Sequence, residues 1–212
     1  MRIVKSVWKK YSFLILFLLL IISIFNPIWA IGASLCMICP LIISFFKGRY
    51  WCGNLCPRGS FYDNILAKVS SHKPVPPLLK SRLFRYPLVV FMLSMFYMGI
   101  INSKGSLVKI GLVFYRMIAI TTLIGIILSF IFNERSWCNF CPMGTLSNLI
   151  CQLNDKRRSL KIRHNCLSCK ACARICPMGI QPYSFKGSSL AHPDCIQCGR
   201  CLNICPKRSI TE

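Results

Sequence analysis

The chain has 212 residues, of which 54% are hydrophobic and 15% charged, and its 27 Lys and Arg against 5 Asp and Glu give a formal charge of +22. A charged share well below the roughly 25% of ordinary soluble domains excludes a conventional soluble protein, and the apolar content excludes a disordered one. A basic excess of this size points to nucleic acid or to a membrane; the clustered apolar runs and scarce acids select the membrane, with no nucleic-acid partner.

Residues 11–46 carry no charged side chain. As a single helix they would extend about 54 Å at ~1.5 Å per residue, far beyond a hydrocarbon core of about 30 Å. Asn26-Pro27 is a turn signal near the middle, so the sequence predicts a helical hairpin of 11–25 and 28–46. Further spans are expected at about 86–101 and 110–132, the last with Arg116 near its start, where it can reach the interface.

Positive charge sets the orientation. Arg2, Lys5, Lys9 and Lys10 precede the first span, and eight basic residues lie between 47 and 85. The turn at 26–27 has none, the turn near 102–109 has Lys104 and Lys109, and twelve follow residue 133. Four spans with both termini cytoplasmic, in the cytoplasmic (inner) membrane, satisfy every count. A cleaved signal peptide ending near Ala30-Ile31-Gly32 competes with this reading. Cleavage there would leave only 33–46 as the next span, which is too short, and would export the cysteines.

Those cysteines number fifteen. An odd count in short regular spacings argues against a disulfide framework and for metal or redox chemistry in a reducing compartment. After the second span comes Arg49-Tyr-Trp51-Cys52-Gly-Asn-Leu-Cys56-Pro57-Arg-Gly59, and after the fourth Arg135-Ser-Trp137-Cys138-Asn-Phe-Cys141-Pro142-Met-Gly144. Each copy follows an outside-to-inside span, so the two hairpins are expected to be parallel repeats about an axis along the membrane normal. Side by side they would gather Cys52, Cys56, Cys138 and Cys141 as a further cluster site, a metal site or redox-active pairs. Arg49, Arg58 and Arg135 are expected to lower the thiol pKa values. The competing reading is a structural loop with tryptophan anchors.

The segment from 164 is rich in Cys, Pro and Gly. About 50 residues cannot build much core, so something covalent or metallic must hold them. Cys166, Cys169, Cys172, Cys176-Pro177 and Cys195, Cys198, Cys201, Cys205-Pro206 are two C-x2-C-x2-C-x3-C-P runs, the spacing of bacterial ferredoxins, in which the fourth cysteine serves the other cluster. The expected sets are Cys166, Cys169, Cys172 and Cys205 for one [4Fe-4S] cluster and Cys195, Cys198, Cys201 and Cys176 for the second. A four-thiolate zinc site is the competing reading, but zinc sites usually use two C-x2-C pairs.

Other residues say less. Cys36 and Cys39 share one helix face before Pro40 and suit packing as well as function; Cys151 reads as inert. His72, His164 and His192 lie outside the spans, so paired haem ligation in the membrane has no support; His164 and His192 precede the runs and suit surface solvation or cluster tuning. There is no G-x-G-x-x-G and no P-loop. Asp155, Asp194 and Glu212 form no paired-carboxylate site. The predicted fold is thus a membrane α-helical part of four transmembrane helices as two parallel hairpin repeats (1–150), a basic linker (151–163) and a small α+β bacterial-ferredoxin-like domain (164–212).

Together these motifs resemble the NapH/MauN type of ferredoxin-like membrane protein, related to the membrane part of NosR, over residues 11 to 208. The family's first C-x3-C-P matches Cys52, Cys56 and Pro57; its second matches Cys138, Cys141 and Pro142 with one residue fewer between the cysteines. The resemblance implies an electron-transfer subunit of a quinol dehydrogenase or oxidoreductase system rather than a stand-alone enzyme. It would work between quinol or quinone and a partner redox subunit or soluble ferredoxin-like carrier. The alternative is an accessory, redox-sensing or metal-handling membrane protein.

Overall fold

The computed structural model describes residues 2–153 and 160–211, with side chains from residue 7 onward; 154–159 of the predicted linker, with Asp155, and residue 212 lie outside the described residues. The chain opens with α1 (Arg2–Tyr11) and the wholly apolar α2 (Phe13–Phe25). Asn26 ends α2, and its side chain accepts from the Ile28 N–H at 3.3 Å, starting a 3-10 turn over Pro27–Ala33. Pro27 opens that turn, where a missing N–H costs nothing. α3 (Ser34–Lys47) follows with Pro40 inside it. The Pro40 carbonyl accepts from the hydroxyls of Ser44 and Ser147.

The first cysteine loop is built on α4 (Tyr50–Asn54) and α5 (Pro57–Asn64). A short α6 (Pro77–Lys80) leads to α7 (Arg82–Asn102), capped by Ser81, whose hydroxyl accepts from the Phe84 N–H. α8 (Leu107–Ile131) returns to the second loop, a 3-10 turn at Ser136–Asn139 followed by α9 (Pro142–Leu153).

Three helical segments, Pro27–Lys47, Arg82–Asn102 and Leu107–Ile131, are long and apolar enough to cross a membrane. Their outer faces expose large apolar groups such as Phe46, Val90, Phe91 and Leu123, which fits a lipid surrounding. The predicted first span is apolar but has 13 residues in α2, about 20 Å by helical rise, so on its own it falls short of the hydrocarbon thickness.

The tail forms β1 (Leu160–Ile162), α10 (Ala171–Arg174), β2 (Ser189–Leu190), α11 (Arg200–Ile204) and β3 (Ile210–Thr211). The antiparallel sheet has order β2-β1-β3, with Leu160 opposite Leu190 and Ile162 opposite Ile210. Its central strand comes from the stretch the sequence assigns to the linker. Leu160, Ile162, Leu190 and Ile210 turn inward onto Met178, Ile180 and Ile196, a core too small to hold the tail by itself.

Candidate metal centres

The two cysteine runs of the tail have the same backbone form. Ser168 and Lys170 take positive φ of 51° and 63°, and the equivalent Gln197 and Gly199 take 53° and 80°. Successive residues alternating with left-handed ones curl the chain into a nest whose N–H groups converge, a shape suited to anionic iron–sulfur groups. Cys166, Cys169, Cys172 and Cys205 line one cavity of about 20 Å³. Cys176, Cys195, Cys198 and Cys201 line a second of about 20 Å³. Among the described residues no three His, Cys, Asp or Glu side chains gather tightly enough for a single metal ion; the thiols surround a space instead. Four soft donors around a cradle fit a [4Fe-4S] group. Burial pushes the thiols of Cys195 and Cys201 up to about 11 and about 12, so metal binding has to displace their protons.

The repeated loops meet. Cys52, Cys56, Cys138 and Cys141 line a single cavity of about 140 Å³, together with Trp51, Trp137 and Arg58. Cys36 lines it too, from α3, whereas Cys39 and the buried Cys151 do not. The loops are crossed by their arginines: Arg49 of the first donates to the Cys138 carbonyl at 2.8 Å, and Arg135 of the second donates to the Cys52 carbonyl at 2.7 Å. A Cβ on Gly144 would lie 2.6 Å from Arg49 Nη2, and one on Gly59 2.6 Å from Arg135 Nη1. The repeated Pro-x-Gly is therefore a seat for the opposite arginine.

Arg58 donates to Thr121 Oγ1 at 2.9 Å and to Cys141 Sγ at 3.3 Å, and lies over the Trp137 ring. It meets no carboxylate among the described residues. A buried cation without a carboxylate calls for an anionic neighbour, which thiolates around a metal group provide. The buried indole N–H groups of Trp51 and Trp137 at this cavity have no acceptor among the described residues. The expected lowering of the loop thiols is not what the structure gives. Burial pushes Cys52 up to about 12 against the opposing pull of Arg49, and raises Cys138 against Arg135. Desolvation of a buried thiolate outweighs one nearby guanidinium.

The tail sits directly on these loops. Gly53 packs so closely against the Ile196 carbonyl that a Cβ there would clash with it. Asn54 Nδ2 donates to the Gln197 carbonyl at 3.1 Å, Gln197 Nε2 to the Lys47 carbonyl at 2.7 Å, and Lys9 Nζ to the Cys198 carbonyl at 3.0 Å. Cys52 and Cys138 pack against the tail's core. Ion pairs lock the junction. Asp194 takes Arg49 and Arg85, both at 2.9 Å, and the amide of Asn148 at 2.7 Å. Asp63 takes Arg135 at 2.7 Å and Arg200 of the tail at 2.9 Å, and Arg200 also pairs with Glu134. All three described carboxylates of this basic chain thus lie at the junction. Burial alone would raise Asp63 and Asp194, but the cations around each, Arg135, Arg200 and Lys9 for Asp63 and Arg49 and Arg85 for Asp194, together outweigh it and hold both below the usual carboxylate range.

The histidines line none of the three cavities. The His164 ring packs over Gly187, His192 Nδ1 accepts from the Asp194 N–H at 3.1 Å, and His72 lies 3.5 Å from Glu134. The signal that sequence reasoning missed is Asp63, which has no partner nearby in sequence.

Two family models match the chain. Residues 29–76 and 115–161 each match a 4Fe-4S binding domain, so that model falls once on each loop repeat, and residues 165–210 match a 4Fe-4S dicluster domain. Two Methanocaldococcus jannaschii proteins are similar. Uncharacterized protein MJ0749 is 25% identical over 151 residues, which is 66% of this chain and 56% of the relative. Uncharacterized protein MJ0750 is 25% identical over 153 residues, 66% of this chain and 63% of the relative. The chain therefore spans less than two thirds of the length of either. No solved structure matches. The family models and the cysteine sets support an iron–sulfur protein of ferredoxin type, and the apolar helices support membrane association.

Proposed function

We propose that this chain is a membrane-anchored electron-transfer protein of the NapH/MauN type, relaying electrons between the quinone pool and a partner redox protein. The tail would hold two [4Fe-4S] clusters, one on Cys166, Cys169, Cys172 and Cys205 and one on Cys195, Cys198, Cys201 and Cys176. Cys52, Cys56, Cys138 and Cys141 would hold a third. Bound there, such clusters would supply one-electron transfer. Four spans, with the short apolar α2 making the first crossing after the basic α1, would keep both termini and all three sites on the cytoplasmic side of the inner membrane.

One observation carries this reading: the three cysteine sites come in series. The loop cavity reaches Leu16, Leu19, Met92 and Phe114 among the helices, where a membrane-dissolved quinol arrives. Gly53 brings the loop backbone against Ile196, between Cys195 and Cys198. Of the cysteines of the other tail site, Cys169 is exposed to water. The arginines orient the loops, Asp194 and Asp63 fix the tail on them, and the apolar helices keep water from the inner site.

The experiment is quinol reduction of the tail in Cys52→Ser/Cys138→Ser. The relay reading predicts much slower reduction with the tail's iron intact; an unchanged rate makes the loops structural. One feature favours the accessory, metal-handling alternative. The loop cavity is much larger than the tail's and also carries Cys36, Met37, Met117 and Met143, soft donors of the kind that select Cu(I). Tight copper binding at the loops without any reduction by quinol supports that alternative.

A further inference from the structure

We infer that the exposed end of the tail, around Cys169, is the docking surface for an acidic, soluble one-electron carrier protein. This rests on the relay function and names the chemistry of its partner. Among the eight cysteines of the two runs, Cys169 is the exposed one. Leu167, 64% exposed, borders the same cavity, as do Pro206 and Lys207, both on the surface. The result is a small apolar centre over the cysteine nearest to water.

Around it, among the described residues, the exposed charge has one sign. Lys170 and Arg208 adjoin the patch in the chain and are exposed, as is Arg163 at the end of β1. The tail's one carboxylate among the described residues, Asp194, faces the other way, onto Arg49 and Arg85. Membrane orientation does not account for this charge, because the positive-inside bias acts within about 15–20 residues of a span and the tail lies further beyond Ile131. An apolar centre with a charged rim is the anatomy of a protein interface. A basic rim steers an acidic partner and rejects a basic one. An anionic bilayer would satisfy the charge but would leave the exposed cysteine without a redox partner. The transfer moves one electron between the carrier's iron–sulfur centre and the group held by Cys166, Cys169, Cys172 and Cys205. One side is oxidised as the other is reduced, and no bond or proton moves.

The test uses the full chain in uncharged micelles without oxygen. The probe is a reduced acidic [2Fe-2S] ferredoxin, with reduced methyl viologen as a reference that needs no docking. Arg163→Glu/Arg208→Glu should slow reduction by ferredoxin at least tenfold. It should weaken binding of redox-inert gallium-substituted ferredoxin by a similar factor, leaving viologen reduction and iron content unchanged. Lys68→Glu, on the 3-10 turn after α5, should change none of these. Raising salt from about 0.05 to about 0.5 M should weaken wild-type binding, as the screening length shrinks several-fold. Rates and affinities unmoved by the double charge reversal would overturn the docking surface. So would loss of the variant's binding only to anionic vesicles, which would make the bilayer the occupant. A wild-type tail that binds ferredoxin but takes no electron from viologen would instead overturn the relay and leave the docking surface standing.

Discussion

Arg49 reaches from the first cysteine loop to the second and donates to the Cys138 carbonyl at 2.8 Å. The same side chain holds Asp194 of the tail at 2.9 Å, so one buried guanidinium joins both loops and the domain docked on them. Arg135 does the reciprocal work through Cys52 and Asp63. The repeat is therefore an interlock, in which neither loop is complete without the other.

The interlock predicts a steric cost at its seats. Gly144→Ala places a methyl group 2.6 Å from Arg49 Nη2. Overpacking of this kind costs about 1–3 kcal/mol. The thermal midpoint of the solubilised protein should fall, with Gly59→Ala matching it. A wild-type midpoint in both variants would remove the interlock.

Asp63→Asn keeps the shape and removes the charge. Arg135, 1% exposed, would then be left with carbonyl and thiol partners, and breaking a buried pair in this way costs about 3–5 kcal/mol. Hydrogen exchange at Tyr50–Asn54 and Ser136–Asn139 should speed up together, because both loops depend on that arginine.

The junction should also respond to acid in a defined direction. Asp63 and Asp194 are held below their usual range in the folded chain. Their stabilisation is therefore complete above the unfolded carboxylate value of about 3.9. It is lost as pH falls through the lower folded values. Exchange rates at the loops, corrected for the intrinsic pH effect, should be flat from pH 8 to 5 and rise only below about 4. A transition near pH 6 would place control of the junction elsewhere.

The shape of the tail was legible in local spacing, since C-x2-C-x2-C-x3-C-P specifies a loop whatever surrounds it. The loop repeat was legible because Arg-x-Trp-Cys recurs. The junction was not, because Arg49 and Asp194 are 145 residues apart and Arg135 and Asp63 are 72 apart. Cys36 gave no sign of joining the loop cysteines, because a thiol in an apolar helix reads as packing. The thiol shift came out with the opposite sign because sequence shows the arginines and conceals the burial. β1 was hidden in a basic stretch because only Leu160 and Ile162 face the core.

Cross-ligation in the tail makes a separate prediction. Cys205→Ser should disturb the same paramagnetic signal as Cys169→Ser, and Cys176→Ser the same signal as Cys198→Ser. The alternative assignment, each run serving its own cluster, exchanges the fourth cysteines and would reverse the pattern.

Topology can be read with reporters. Fusions after Asn26 and Lys104 should lie outside, and fusions after Lys73 and at the C-terminus inside. An external C-terminus would leave α2 uncrossed and the site order inverted with respect to the membrane.

The most direct measurement is iron and acid-labile sulfide per chain after anaerobic purification, in wild type and in Cys52→Ser/Cys138→Ser. With four cysteines per cluster, three sites predict about twelve irons in the wild type and about eight in the variant. Equal iron in the two proteins would contradict a metal group on the loops, and zinc in place of iron would contradict the relay altogether.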